Sequence, residues 1–260
     1  MRLIDTHCHL DFPEFAEQQD AVVTRAREAG VKRMITISTH ASRFASVKKV
    51  AEKYEDVFCT AGVHPHHSGE PDEDIQENWL VEAAGYEKVV GLGETGLDYY
   101  YNNSPVDAQK KNFRTHIRAC LKTDLPIIVH TRDADDDTYA LLKEEGQGKL
   151  RGLLHCFSSS RKLAEQALEM GLFISFSGIV TFKKSDELRA IAKDIPLERI
   201  LVETDAPFLA PMPFRGKTNE PSYVVHTAQC VADVKGVSLE ELAGITTQNA
   251  LRLFTRLSAP

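Results

Sequence analysis

Short runs rich in aliphatic and β-branched residues recur along the chain, and between them apolar positions return every three or four residues. The first pattern predicts strands buried on both faces; the second predicts amphipathic helices laid against them. Strands are expected at 3–8, 34–38, 57–63, 89–93, 126–130, 152–156, 173–177 and 200–204. Helices are expected at 16–29, 43–53, 74–84, 107–122, 134–145, 161–170 and 188–193, with closing helices at 223–234 and 239–254. Such alternation implies parallel strands joined by helical crossovers. Eight units with nothing left over predict an α/β fold, a closed (β/α)8 TIM barrel, as a single domain over 1–260. The alternative, an open doubly wound sheet, lacks a Gly-x-Gly-x-x-Gly after its first strand. Gly91-Leu92-Gly93-Glu94-Thr95-Gly96 reads as a tight turn carrying a ligand at the end of the fourth strand. Pro207, Pro211, Pro213 and Pro221 mark a long loop after the eighth.

Composition narrows the classes. At 260 residues, 42% hydrophobic and 27% charged, the chain can bury a barrel-sized core and has no disordered character. No apolar run is long enough to span a bilayer, and Met1-Arg2-Leu3-Ile4-Asp5 lacks the apolar stretch of a signal peptide. A cytoplasmic protein with no membrane partner is therefore expected. The five scattered cysteines include no Cys-x-x-Cys and fit reduced thiols rather than a disulfide framework. A net charge of -7 excludes a broad basic face that coats nucleic acid; any nucleic acid would be handled locally.

The candidate chemistry begins at Asp5-Thr6-His7-Cys8-His9. Alternation along a strand puts Asp5, His7 and His9 on one side and Thr6 and Cys8 on the other. Taken alone, two histidines satisfied by hydrogen bonds would explain this motif as well as a metal would. Glu94, His130, His155 and Asp205, however, also fall at the ends of apolar runs, and a parallel barrel gathers those ends at one rim. Four imidazoles and two carboxylates exceed one tetrahedral ion and suit two divalent cations sharing a carboxylate. Glu94 is the expected bridge, and Asp205 is expected beside the attacking water.

The motifs Asp5-Thr6-His7-Cys8-His9-Leu10, Gly62-Val63-His64-Pro65, Gly93-Glu94-Thr95-Gly96-Leu97-Asp98-Tyr99 and Val129-His130-Thr131-Arg132-Asp133 are followed, in order, by four more. These are Leu154-His155-Cys156-Phe157, Ser175-Phe176-Ser177-Gly178, Glu203-Thr204-Asp205-Ala206-Pro207 and Arg215-Gly216-Lys217. Together they resemble the TatD family of metal-dependent deoxyribonucleases in the amidohydrolase superfamily, in the bacterial branch that keeps the first His-x-His. The resemblance implies a TIM barrel that hydrolyses phosphodiesters at DNA ends, with His7, His9, Glu94 and Asp205 on one ion and Glu94, His130 and His155 on the other. The ions it implies are divalent, with zinc, magnesium and manganese all open. A phosphodiester repels nucleophiles and concentrates charge in its transition state, which paired cations offset; Asp205 is expected to accept the proton of the attacking water.

His64 precedes Pro65 at the rim and is expected to contact phosphate or support a ligand. Arg132 is expected either to grip a phosphate oxygen or to pair with Asp133, Asp135 or Asp136. Tyr99, Tyr100 and Tyr101 offer a stacking face or helix packing. Asp5 and Glu203 are expected to orient ligands, and Cys8 and Cys156 to face away. His40, His66, His67, His116 and His226 receive no role. The leading reading is an exonuclease-type DNase acting on single-stranded or frayed ends, with no obligate protein partner. Its alternatives keep the barrel but change the scissile bond, for example to an aminoacyl ester on RNA, or make it a silent binding scaffold.

Overall fold

Each apolar run becomes a strand because only a sheet jacketed by helices buries both of its faces. The computed structural model describes residues 2–257; Met1 and 258–260, parts of the expected domain, lie outside the described residues. Its strands are β1 (Leu3–Cys8), β2 (Val31–Thr36), β3 (Val57–Ala61), β4 (Val89–Asp98), β5 (Ile127–Arg132), β6 (Gly152–Leu154), β7 (Phe173–Phe176) and β8 (Ile200–Val202). The crossover helices are α1 (Gln19–Glu28), α2 (Phe44–Lys53), α3 (Glu77–Ala84), α4 (Val106–Thr123), α5 (Asp135–Gly146), α6 (Arg161–Glu169) and α7 (Asp186–Asp194). After β8 come α8 (Val224–Lys235) and α9 (Leu239–Leu253).

Strands pair in parallel in the order β1 to β8. The ring closes through a parallel bridge between Cys8 and Ala206, where the His9 N–H donates to the Ala206 carbonyl at 2.8 Å. The result is the (β/α)8 barrel that the alternation predicts. Among the described residues, no helix is long and apolar enough to cross a membrane.

The core has two layers. Inside the barrel, every strand contributes one buried apolar residue: Ile4, Ile35, Phe58, Val90, Ile128, Leu153, Phe173 and Leu201. Ala250, Leu253 and Phe254 of α9 and its end pack against this cluster and plug the barrel. Outside it, residues such as Leu3, Met34, Val57 and Ile127 meet the apolar stripes of the helices. Each such side chain stabilises the fold by about 1.5–3 kcal/mol, so strand positions are dictated by burial and the rim is left for chemistry.

Three departures from the sequence reading affect the site. β4 continues five residues past its expected end, so the glycine-rich segment is an irregular strand, not a tight turn. Its pairing with β5 shifts between Leu92 and Thr95. Gly93 and Gly96 have φ of +139° and +135°, and a Cβ on Gly96 would collide with the His130 carbonyl, so only glycine lets β4 lie this close to β5. In β1 the register shifts between Asp5 and Cys8, which breaks the expected alternation. Thr6 reaches Ser175 of β7 at 3.4 Å across the barrel interior, while Asp5 turns to Thr204. Finally, β6 and β8 end before His155 and Asp205, which stand on the loops just beyond.

Candidate metal centre

The six expected ligands converge on one cluster at the C-terminal rim. Glu94 lies at its middle and divides its two oxygens: Oε2 faces His7 Nε2 at 3.3 Å, while Oε1 faces His130 Nδ1 at 3.1 Å and His155 Nε2 at 2.7 Å. Asp205 Oδ1 lies 3.5 Å from His7 Nε2 and 3.4 Å from His9 Nε2. Its N–H donates to the His7 carbonyl at 2.9 Å, so the same contact that closes the barrel delivers this carboxylate to the histidines of β1. Two sets of ligand atoms close enough to hold an ion, His7-His9-Glu94 and Glu94-His130-His155, share Glu94.

The donor chemistry fits cations. Three imidazoles each use one nitrogen on an acceptor behind them: His9 Nδ1 donates to the Ile37 carbonyl, His130 Nε2 to Asp98 and His155 Nδ1 to Glu203. In each neutral ring the other nitrogen then confronts a carboxylate, acceptor against acceptor, an arrangement that needs a positive charge between them, either a proton or a cation. Both ring nitrogens of His7 are buried without a hydrogen-bond partner; its Nε2 is near two carboxylates in distance but not in hydrogen-bond geometry. No lysine or arginine pairs with Glu94, Asp98, Glu203 or Asp205 among the described residues, so histidine is their only counter-charge.

The titration behaviour expresses the same demand. Burial pushes the His155 pKa down, but Glu94 and Glu203 outweigh it and hold it well above the usual imidazole range. Burial alone would raise Glu94, yet His155, His64 and His7 keep it well below the usual carboxylate range. Asp205 is likewise lowered against its burial, by the hydrogen bond from His9 and the charges of His7 and His155, and stays ionised.

His64 belongs to the same cluster. Its Nδ1 accepts the His66 N–H at 3.0 Å, which leaves the proton on Nε2, 3.3 Å from Glu94 Oε1. Burial drives its pKa down to about 3, so it is a neutral donor. Arg132 ends β5 and lines the cavity. It makes no ion pair among the described residues: Asp135 is taken by Ser160 and Asp136 by Lys162. Its guanidinium lies instead over the rings of Tyr100 and Tyr101, at 4.0 and 4.8 Å. Tyr99 packs against the core and lines the cavity with its hydroxyl tied to Asp137 at 2.7 Å.

Of the supporting expectations, that for Cys156 needs correction. Glu203 does hold His155, and it also accepts the Cys156 N–H at 2.7 Å. Asp5 holds no ligand side chain but braces the backbone beside two of them: it accepts from the His7 N–H at 3.3 Å, and from the Thr204 N–H at 2.9 Å and hydroxyl at 2.6 Å. Burial pushes its carboxyl up to about 8. Cys8 is buried in the outer core, but Cys156, placed by a φ of +44°, lines the cavity beside Ser177 at 3.1 Å.

The sequence reading missed Asp98 and His66. Fully buried Asp98 accepts from His66 Nε2 at 2.8 Å and His130 Nε2 at 3.0 Å, and so fixes which His130 nitrogen faces Glu94. The signal was present, since Asp98 follows Glu94 at strand period two, but ending β4 at Gly93 hid it.

Comparison with known proteins agrees with this geometry. The family model for TatD related DNase matches residues 4–255. The metal-dependent hydrolase YabD of Bacillus subtilis is 41% identical over 253 residues, 97% of this chain and 98% of that protein. The 3'-5' ssDNA/RNA exonuclease TatD of Citrobacter rodentium is 36% identical over 258 residues, covering 97% of each. Among solved structures, the TatD homologue YjjV of Escherichia coli K12 superposes with a TM-score of 0.90 at 31% identity over 98% of both chains. A barrel with this carboxylate-centred histidine cluster, matched along nearly its whole length, is a metal-dependent hydrolase, and the chain belongs to the TatD-related DNase family.

Proposed function

We propose that the protein is an exonuclease that removes nucleotides from single-stranded or frayed DNA ends, using two divalent cations. The observation that carries this reading is the divided carboxylate of Glu94, with one oxygen toward β1 and the other toward β5 and β6. His7, His9, Glu94 and Asp205 would hold one cation; Glu94, His130 and His155 would hold the other. When bound, such a pair offsets the charge of the phosphate's nonbridging oxygens and acidifies a nearby water. Mixed nitrogen and oxygen donors favour zinc or manganese over magnesium.

The chain's own groups supply the rest. Asp205, kept ionised, accepts the proton of the attacking water. His64, whose Nε2–H lies 3.3 Å from Glu94 Oε1, would share that proton with a phosphate oxygen bound beside Glu94, and its low pKa keeps it a neutral donor across the working range. Arg132, free of an acidic partner, presents its N–H edge to a second phosphate oxygen. The cavity, at about 1690 Å³, exceeds the roughly 300–1,000 Å³ of small-molecule pockets, which leaves room for a polymer segment. The Citrobacter relative is named a 3'-5' ssDNA/RNA exonuclease, and the same polarity is expected here.

The test is hydrolysis of end-labelled single-stranded oligonucleotides, matched duplexes and carboxylic esters after reconstitution with zinc, manganese or magnesium, each with and without chelator. Metal-dependent shortening of the single strand is expected. Metal-loaded protein that leaves the strand intact but cleaves an ester or amide would transfer the site to the other reading.

A further inference from the structure

Exposed aromatic rings are uncommon on a protein surface unless they serve contact; here Phe12, Tyr101 and Phe208 line the metal-centre cavity, with Tyr100 against Tyr101. Tyr100, Tyr101 and Phe208 are 58%, 54% and 48% exposed, and they make up three of the five exposed large hydrophobics among the described residues. Phe12 and Phe208 are each set by a turn whose N–H returns to a residue of the cluster: Phe12 to the His9 carbonyl at 3.2 Å and Phe208 to the Asp205 carbonyl at 2.9 Å. The Phe12 ring stacks on His9 at 4.6 Å and meets Phe208 edge to face at 5.9 Å.

A second pair stands elsewhere on the rim. The Tyr101 N–H donates to Asp98 Oδ1 at 2.9 Å, Tyr100 meets Tyr101 edge to face at 5.0 Å, and the Arg132 guanidinium lies against one face of each ring. The phenylalanines follow β1 and β8, while the tyrosines follow β4 and Arg132 ends β5. In a closed ring ordered β1 to β8, those positions are half a turn apart, with Glu94 and its histidines between them. An apolar surface split by a charged cavity suits neither a membrane nor a broad protein interface, both of which need a contiguous patch.

We propose that the two pairs are base-stacking shelves, Phe208 with Phe12 and Tyr101 with Tyr100, which hold the nucleobases on either side of the cleaved phosphate. The proposal rests on the phosphodiesterase reading and specifies its substrate. Aromatic faces accept every base, so the shelves confer little sequence preference. Bases drawn to opposite shelves cannot remain paired or stacked on each other, which restricts the enzyme to single strands and frayed ends. With its face on the tyrosines, Arg132 keeps its N–H edge for the backbone phosphate beside that base.

The test compares kcat/KM on a single-stranded oligonucleotide with that on the same strand carrying abasic sites at its two terminal nucleotides. Wild-type enzyme is expected to favour the intact strand by about 100-fold, roughly tenfold for each stacked base. Phe208→Ala and the double variant Tyr100→Ala/Tyr101→Ala should each lower that ratio about tenfold at matched metal content, and Phe208→Trp should restore it where Phe208→Leu does not. Wild type that cuts both strands equally, or variants that keep the full ratio, would overturn the shelves while leaving the phosphodiesterase reading intact. Wild type that hydrolyses esters but no strand would remove that reading, and the shelves with it.

Discussion

Replacing Asp98 by asparagine isolates the contribution of one carboxylate to a metal-binding imidazole. Asp98 Oδ2 accepts from His66 Nε2 at 2.8 Å and His130 Nε2 at 3.0 Å, while Oδ1 accepts the Tyr101 N–H at 2.9 Å. Burial works to raise this carboxyl, but the hydrogen bonds from His130 and His66 outweigh it and hold it below the usual range. An asparagine has one acceptor oxygen where three donors converge. If its oxygen takes the Oδ2 position, its amide group confronts the Tyr101 N–H. If the amide takes that position, His130 must move its proton to Nδ1, where it points at Glu94 and competes with the cation. Either arrangement loses a charge-assisted hydrogen bond worth about 1.5–3 kcal/mol. Supporting partners of metal-bound histidines typically contribute about 10- to 100-fold in affinity, which agrees with that range. Competition titrations with a chromophoric chelator should show one metal equivalent weakened by this factor and the other, nearer His7 and His9, little changed. Affinities of both equivalents unchanged from wild type in the folded variant would refute the argument that Asp98 sets the His130 tautomer.

Further outcomes follow from other residues. Asp205→Asn should keep its metal by elemental analysis yet lose about 10²- to 10⁴-fold in kcat, and an active, metal-loaded variant would remove Asp205 as the proton acceptor. Gly96→Ala forces a side chain against the His130 carbonyl at a φ of +135°; urea denaturation should show a loss of about 1–3 kcal/mol or more, and unchanged stability would mean that β4 tolerates a Cβ there. His116, buried in α4, accepts the Val63 N–H and donates to the Asn112 carbonyl, and burial pushes its pKa down to about 4. The unfolded chain therefore takes up this proton first, so the contribution is complete above about pH 6.5 and is lost as pH falls toward 4, about 3 kcal/mol in all. His116→Gln should flatten the fall of unfolding free energy over that window, and an unaltered slope would show that the histidine is not held neutral.

Much of the site was legible because the barrel couples sequence order to place. His7, His9, Glu94, His130, His155 and Asp205 all end apolar runs, and parallel strands bring such ends to one rim. What escaped reading lay where the strands are irregular or the chain leaves them. Asp98 was hidden because glycines that permit close strand approach look, in one dimension, like a turn. Asp5 meets the backbone of His7 and Thr204 rather than a ligand side chain, a detail that even alternation does not give where β1 shifts register between Asp5 and Cys8. Phe12 and Phe208 stand on turns, where neither helical nor strand period places a side chain.

By itself, then, the sequence determined the barrel, through the alternation of buried runs and amphipathic stretches, and the rim on which the ligands stand, through their position at the ends of those runs. Tertiary structure alone decided which nitrogen each imidazole offers, how Glu94 divides its oxygens and where the aromatic rings stand around the cavity. Those choices depend on hydrogen-bond partners dozens to hundreds of residues away, such as Asp98 behind His130 and Glu203 behind His155, and on local register shifts that no periodic pattern records.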